Sequence, residues 1–206
     1  MISGKRFRVL RGLPRKPARV FVVLGLLGFG LRPAAAAQLA GVSMPDTQTV
    51  GTTQLVLNGM GLRTYSLLAI HIYVAGLYLQ QPSHDAEAIL ASPEIKLVRM
   101  HFVHSVGAAA MRGAWRRGLT RNCVAPCVLS QARLAAFLAA LRPVNAGEDV
   151  TLEFQPWGAE AFYDGVSVGT IDDPGFARLM LEVFIGKNTT VPQLKRELLG
   201  EDRAAG

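Results

Sequence analysis

The stretch NGMGLRTYSLLAIHIYVAGLYL, residues Asn58 to Leu79, decides the fold. It opens on Asn58-Gly59, the strongest short hairpin signal in the chain, because these residue types tolerate the positive φ of a two-residue turn. It then runs apolar and aromatic to Leu79 with Arg63 as its only full charge. A guanidinium in a core strand cannot escape its desolvation penalty by losing a proton. Arg63 therefore requires an acid, water or a ligand, which makes it the first functional suspect.

Outward toward the C-terminus, Ser83 with Asp85 and Glu87 predicts a serine-capped short helix over Asp85 to Leu90. Ile95 to His104 alternates apolar with basic residues, the pattern of a half-buried strand. From Gly107 to Leu141 the composition turns helical, with a break near Pro126. Met111, Trp115 and Leu119 fall on one stripe, while Arg112, Arg116, Arg117 and Arg121 spread over the remainder. Three strand-like pieces follow, Val150 to Gln155, Ala159 to Tyr163 and Val166 to Ile171, the last two joined through Asp164-Gly165. Asp173-Pro174 then starts a helix that runs to Ile185 and stops at Gly186, and Val191 to Leu199 closes the chain. This order of elements predicts an α+β fold, a large antiparallel sheet covered on one face by helices.

Outward toward the N-terminus, Gln38 to Thr53 reads as a polar leader into a strand over Gln54 to Leu57. Before it stand seven basic residues between Met1 and Arg19, an apolar run from Val20 to Leu31, and the small residues Ala34 to Ala37. Basic head, short apolar middle and small-residue site predict a secretory signal peptide, residues 1–37, cut near Ala37. The apolar run is about half the ~20 residues a membrane helix needs, so no stable span is expected after processing. Residues 38–206 would form one exported domain, periplasmic or secreted. All 15 acids but only part of the 22 Lys and Arg lie in that domain, leaving it one more acid than base. No basic surplus remains to neutralise phosphates, and nucleic acid is not an expected partner.

Cys123 and Cys127 are four apart around Pro126. A disulfide and a pair of buried small side chains both fit that spacing. A metal site is not expected there, since two ligands without a nearby His do not make one. His101 and His104 would point to opposite faces of a strand, which excludes a metal pair. We expect no cofactor.

Taken in order, these residues resemble the chalcone isomerase-like superfamily, specifically its exported bacterial branch. The resemblance is carried by Gly59, Gly61 and Arg63, by Tyr73-Val74-Ala75-Gly76-Leu77-Tyr78-Leu79, by Asn122-Cys123-Val124-Ala125, and by Phe184-Ile185-Gly186 with Leu194-Lys195 and Leu198-Leu199-Gly200. It implies an open-faced β-sandwich, a large antiparallel sheet under a helical layer. It also implies one of two activities.

The family's plant enzymes are intramolecular lyases that close a chalcone to a flavanone. They use an arginine on a glycine-rich turn to hold a phenolate, and a threonine, a tyrosine, an asparagine and a further hydroxyl to polarise the ketone. Carried over, Arg63 matches the arginine and Asn122 the asparagine. Tyr73 stands at the first threonine once a two-residue gap follows Arg63, Trp115 at the tyrosine and Val183 at the last hydroxyl. An indole N–H does not reproduce a phenol, and valine donates nothing. Losing one placed donor removes ~2.7–4 kcal/mol of transition-state stabilisation, so these departures disfavour efficient cyclisation. As an enzyme, the protein would be an isomerase on an unknown enone with Arg63, Tyr73 and Asn122 as catalytic residues.

Other members resemble fatty-acid carriers, in which the same arginine and a neighbouring tyrosine hold a carboxylate. That use implies a binder of a small amphipathic or phenolic anion gripped by Arg63 and Tyr73, with Trp115, Asn122, Val183, Phe184 and Leu77 around it. Simpler roles stand beside these: Arg63 paired with Glu153 or Glu160, Tyr73 and Tyr78 as sheet aromatics, Trp115 as core, and Asn122 as a helix cap. A protein partner is not indicated by any motif.

Overall fold

The computed structural model describes residues 36–65 and 69–201, which belong to one compact unit beginning at Ala34. The expected signal peptide lies outside the described residues except for Ala36 and Ala37. Those two open strand β1 (Ala36–Leu39), which pairs with β2 (Val42–Pro45). The expected polar leader is thus a hairpin, turned at Ala40 and Gly41, both at positive φ. Val42 and Met44 are buried against Met60 and Val74, and so cover part of one sheet face. Alternation over only four residues is too short a signal to have announced this.

The main sheet has seven antiparallel strands in chain order: β3 (Thr47–Val50), β4 (Thr53–Tyr65), β5 (Ile70–Leu79), β6 (Lys96–Phe102), β7 (Asp149–Gln155), β8 (Gly158–Tyr163) and β9 (Val166–Ile171). Strands β7, β8 and β9 and the Asp164-Gly165 turn lie where the sequence predicts them. Asp164 and Gly165 both take positive φ.

Asn58-Gly59 does not turn the chain. Neither residue has positive φ, and β4 runs through them with a bulge between Leu57 and Gly59. Asn58 is buried, and its Nδ2 donates to the carbonyls of Ser83 and Leu198 while its Oδ1 accepts from the Ser83 N–H. The extra residue flips the alternation of everything after it. Leu55 and Leu57 pack on the outer face, with Tyr78 and Met44. Beyond the bulge, Gly59, Gly61 and Arg63 point to the inner face.

Five helices are described. α1 (Ala86–Ala91) is capped by the Asp85 carboxylate, which accepts from the Glu87 and Ala88 N–H groups, in place of the expected Ser83. α2 (Ala108–Asn122), α3 (Gln131–Ala140), α4 (Pro174–Ile185) and α5 (Pro192–Leu198) cover the inner face. α4 begins and ends as its caps predict, with Asp173 accepting from Phe176 N–H and Gly186 closing the last turn. Its buried face, with Phe176, Met180 and Phe184, packs on a core that includes Leu77, Val98, Met100 and Leu152. The architecture is α+β, a curled antiparallel sheet with a helical layer. Among the described residues no helix is long and apolar enough to cross a membrane.

Helix α5 explains the glycines of β4. A Cβ on Gly59 would collide with the carbonyl oxygens of Glu197 and Leu198, and one on Gly61 would stand 2.8 Å from Leu194 Cδ1. Only glycine lets the helix sit this close to the strand. Glu197 completes the joint by accepting from the Leu62 N–H at 2.8 Å.

Candidate functional site

Beyond Gly61 the close contact with α5 ends, and a cavity of about 930 Å³ opens between the inner sheet face and the helices. It crosses the strands from Arg63 on β4 to Val168 and Ile171 on β9, under α2, α3 and α4. Aromatic contacts form much of its roof. Trp115 packs edge-on against Phe137 and Phe184, with ring centroids 5.2 and 5.8 Å apart, and Phe137 packs against Phe176. The floor is Met100, Phe102, Val150 and Leu152.

Arg63 and Tyr73 are directly opposite each other in the β4–β5 register, at one end of this apolar space. Arg63 Nη1 donates to the Thr64 carbonyl at 2.6 Å. It forms no ion pair among the described residues. Glu153 and Glu160, its alternative partners, stand opposite each other on the outer face of β7 and β8 and do not meet it. Burial, reinforced by Glu160, raises the Glu153 pKa. The bulge sends Arg63 to the other side of the sheet, out of reach of both acids.

Tyr73 packs against Phe102, centroids 5.2 Å apart. Burial pushes its phenol up to about 12, against the opposing pull of the Arg63 charge. What surface Tyr73 keeps open faces the cavity. At neutral pH this phenol is a hydrogen-bond donor and not a base. Cation and phenol together present hydrogen-bond donors of the kind an oxyanion accepts from, beside walls that are mostly hydrocarbon.

Trp115, Val183 and Phe184 also line the cavity. Asn122 does not. Its Nδ2 donates to the Gly118 carbonyl at 2.9 Å, and its Oδ1 lies where a side chain on Gly186 would fall. The amide is engaged at the α2–α4 contact, as a helix-end asparagine commonly is, so Arg63, Tyr73 and Asn122 are not one catalytic set. Leu77 is likewise fully buried in the core, away from the space it was expected to line. Cys123 and Cys127 are joined in a disulfide, Cα atoms 5.2 Å apart, in the connection from α2 to α3.

Sequence reasoning passed over Ile72, Phe102, Phe137, Tyr163 and Phe176. Phe102 had a usable signal, since it is Tyr73's partner across β5 and β6. The helical phenylalanines had none, because a residue on an apolar stripe looks the same over a cavity as over a core. Tyr163 is held from behind by the Arg142 guanidinium, 4.0 Å from its ring centre.

A family model described as chalcone isomerase-like matches residues 36–200. No curated protein matches the sequence. Among solved structures, the chain is similar to the crystal structure of an Arabidopsis thaliana fatty-acid binding protein, with a TM-score of 0.67 at 16% identity over 81% of this chain and 97% of that one. An identity this low speaks for the fold. The matched residues take in every strand and helix described, and the chain belongs to the chalcone isomerase-like family.

Proposed function

We propose that this chalcone isomerase-like protein is a non-catalytic binder or carrier of a small amphipathic anion such as a fatty acid. The observation that carries the reading is the placement of Arg63 beside Tyr73 at one end of a cavity whose remaining wall is largely hydrocarbon. A carboxylate accepts two parallel bonds from a guanidinium and a third from the phenol, while an alkyl or aromatic body fills the space toward β9. The fold shared with a fatty-acid binding protein supports the same reading. Enone cyclisation draws less support, since Asn122 lies outside the cavity and the tyrosine and last hydroxyl positions hold Trp115 and Val183.

Export belongs to the proposal as well. The basic head, apolar run and small residues before Gln38 support delivery across a membrane with removal of residues 1–37. The intact mass of the protein recovered from its native compartment tests this directly.

Ligand binding is tested by native mass spectrometry of the gently purified protein beside Arg63→Ala. An acid carried by the first and missing from the second is the expected result. Absence of any bound acid, together with no saturable uptake of added long-chain carboxylates, would sink the carrier reading. Conversion of chalconaringenin above its spontaneous rate, lost in Arg63→Ala, would replace it with the isomerase.

A further inference from the structure

We infer that the end of the cavity beside Arg63 is a docking surface for an anionic lipid bilayer, where the bound amphiphile is exchanged. The inference rests on the carrier reading and adds a partner to it. Tyr65 and Ile70 are cross-strand partners at the tip of the β4–β5 pair. They are 61% and 38% exposed, and both also line the cavity. A phenol and a branched aliphatic side chain at the lip of an apolar space are poorly placed in water. At the boundary between headgroups and acyl chains they are well placed, ring down and hydroxyl up.

Helix α2 supplies the charge. Ala110, Ala114, Arg117 and Arg121 repeat at helical spacing along one exposed flank, and the first three line the same cavity. α2 carries four arginines and no acid, and among the described residues neither Arg117 nor Arg121 is in an ion pair. Both residues are exposed, and Gly113 lets the Arg117 Nη1 lie close over the helix, where a Cβ would stand 3.2 Å from it. The opposite end of the cavity differs in sign, since Asp172 lines it and Asp173 holds Arg133 in an ion pair. Phosphate headgroups therefore match one mouth and not the other. With that mouth against the bilayer, an alkyl chain passes from protein to lipid without crossing water.

Vesicle flotation tests this with the chain from Ala34 onward, the compact unit that holds every described element. Starting there removes the basic N-terminal residues, which would bind anionic lipid by themselves. Vesicles of phosphatidylglycerol and phosphatidylcholine should float the protein. Pure phosphatidylcholine should not, and high salt should release it. Arg121→Glu should weaken flotation at least fivefold and Tyr65→Ser about threefold. Arg116→Glu makes the same change in net charge on the other flank of α2 and should move flotation less than twofold.

Saturable binding of a fluorescent fatty acid by Arg121→Glu in lipid-free buffer shows that the variant is folded, since Arg121 lies outside the cavity. Equal losses in Arg121→Glu and Arg116→Glu, or no flotation by the parent protein, would overturn the docking surface. Flotation that persists in a protein binding no fatty acid would overturn the carrier reading instead.

Discussion

The two ends of the β4–β5 strand pair are built for opposite purposes. At the Asn58 end the sheet is sealed. Asn58 ties β4 to Ser83 and Leu198, and glycines at 59 and 61 bring α5 down onto the strand with no room for a methyl group. At the Arg63 end the same strand faces a cavity, with its charge opposite Tyr73 and its last residue exposed. Helix α5 runs antiparallel to this gradient. Leu198 stands over Gly59, Leu194 over Gly61, and Val191, just before the helix, already lines the cavity. What differs along β4 is the size of the residue under the helix. Where it is glycine the layers close, and where it becomes arginine they stay apart, so the cavity arises from a failure to pack that the sealed end makes stable enough to tolerate.

A side chain placed in the sealed end should have the largest effect on stability. Gly59→Ala forces a methyl group against two backbone carbonyls that cannot rotate away, and should cost about 3 kcal/mol in urea unfolding. Asn58→Ala should destabilise by a similar amount, about 2–3 kcal/mol, because it strands three buried or half-buried backbone groups at once. Neither residue touches the cavity. Ligand affinity measured in the folded fraction should therefore stay within about twofold of the parent.

At the open end the order of effects reverses. Arg63→Ala removes a cation that faces space and not a packed neighbour, so the unfolding midpoint should barely move. Carboxylate affinity should fall about 10–100-fold by fluorescence titration, the range for losing a charge-assisted hydrogen-bond pair. If Arg63→Ala instead unfolds the protein as badly as Gly59→Ala, the arginine is structural and the two ends of the strand pair do not differ in kind.

The roof over the open end has its own fastening. Cys123–Cys127 closes a loop of sequence separation 4 at the turn between α2 and α3. Reduction, or a Cys123→Ser/Cys127→Ser pair, should lower stability by about 2 kcal/mol on the chain-entropy account of so short a loop. Hydrogen exchange should rise in α3 more than in α5, because only the former hangs from that connection. Equal changes in both helices would show that the two ends unfold as one.

The same contrast governs what could be read from the sequence. Arg63 stood out because a lone charge in an apolar run is a local fact. So did the Asp164-Gly165 turn and the Asp173 cap, whose partners lie within three residues. Asn58 misled because its partners are 25 and 140 positions away, and nothing nearby distinguishes an asparagine that turns a chain from one that ties it. The β1–β2 hairpin was invisible for want of length. Around the site, Trp115 and Phe184 were reachable through the family resemblance, while Phe137 and Phe176 become cavity walls only when helix and sheet are set at a distance that no periodicity encodes. Asn122 shows the converse, a residue that the resemblance assigned to the site and that its own local chemistry, a bond to Gly118 four residues back, assigned to a helix end.

The smallest effect is also the most specific to the open end. Tyr73→Phe keeps the ring against Phe102 and removes one donor, so affinity should drop about fivefold, near 1 kcal/mol, with little change in stability at neutral pH. The pH dependence then separates a buried donor from a solvated one. Because burial holds the folded phenol near 12 while the unfolded one ionises near its ordinary value of 10.0, the folded state binds more protons between those limits. Its stability is complete below pH 10 and falls as the pH rises through that window. Tyr73→Phe should make the fall shallower without abolishing it, since Tyr78 and Tyr163 are raised by burial as well. Ligand affinity should stay level from pH 7 to 9 and decline only as the pH nears 12. A decline centred at 10 would mean that water reaches Tyr73 as freely as it reaches a surface phenol, and that the two ends of the strand pair differ less than their packing implies.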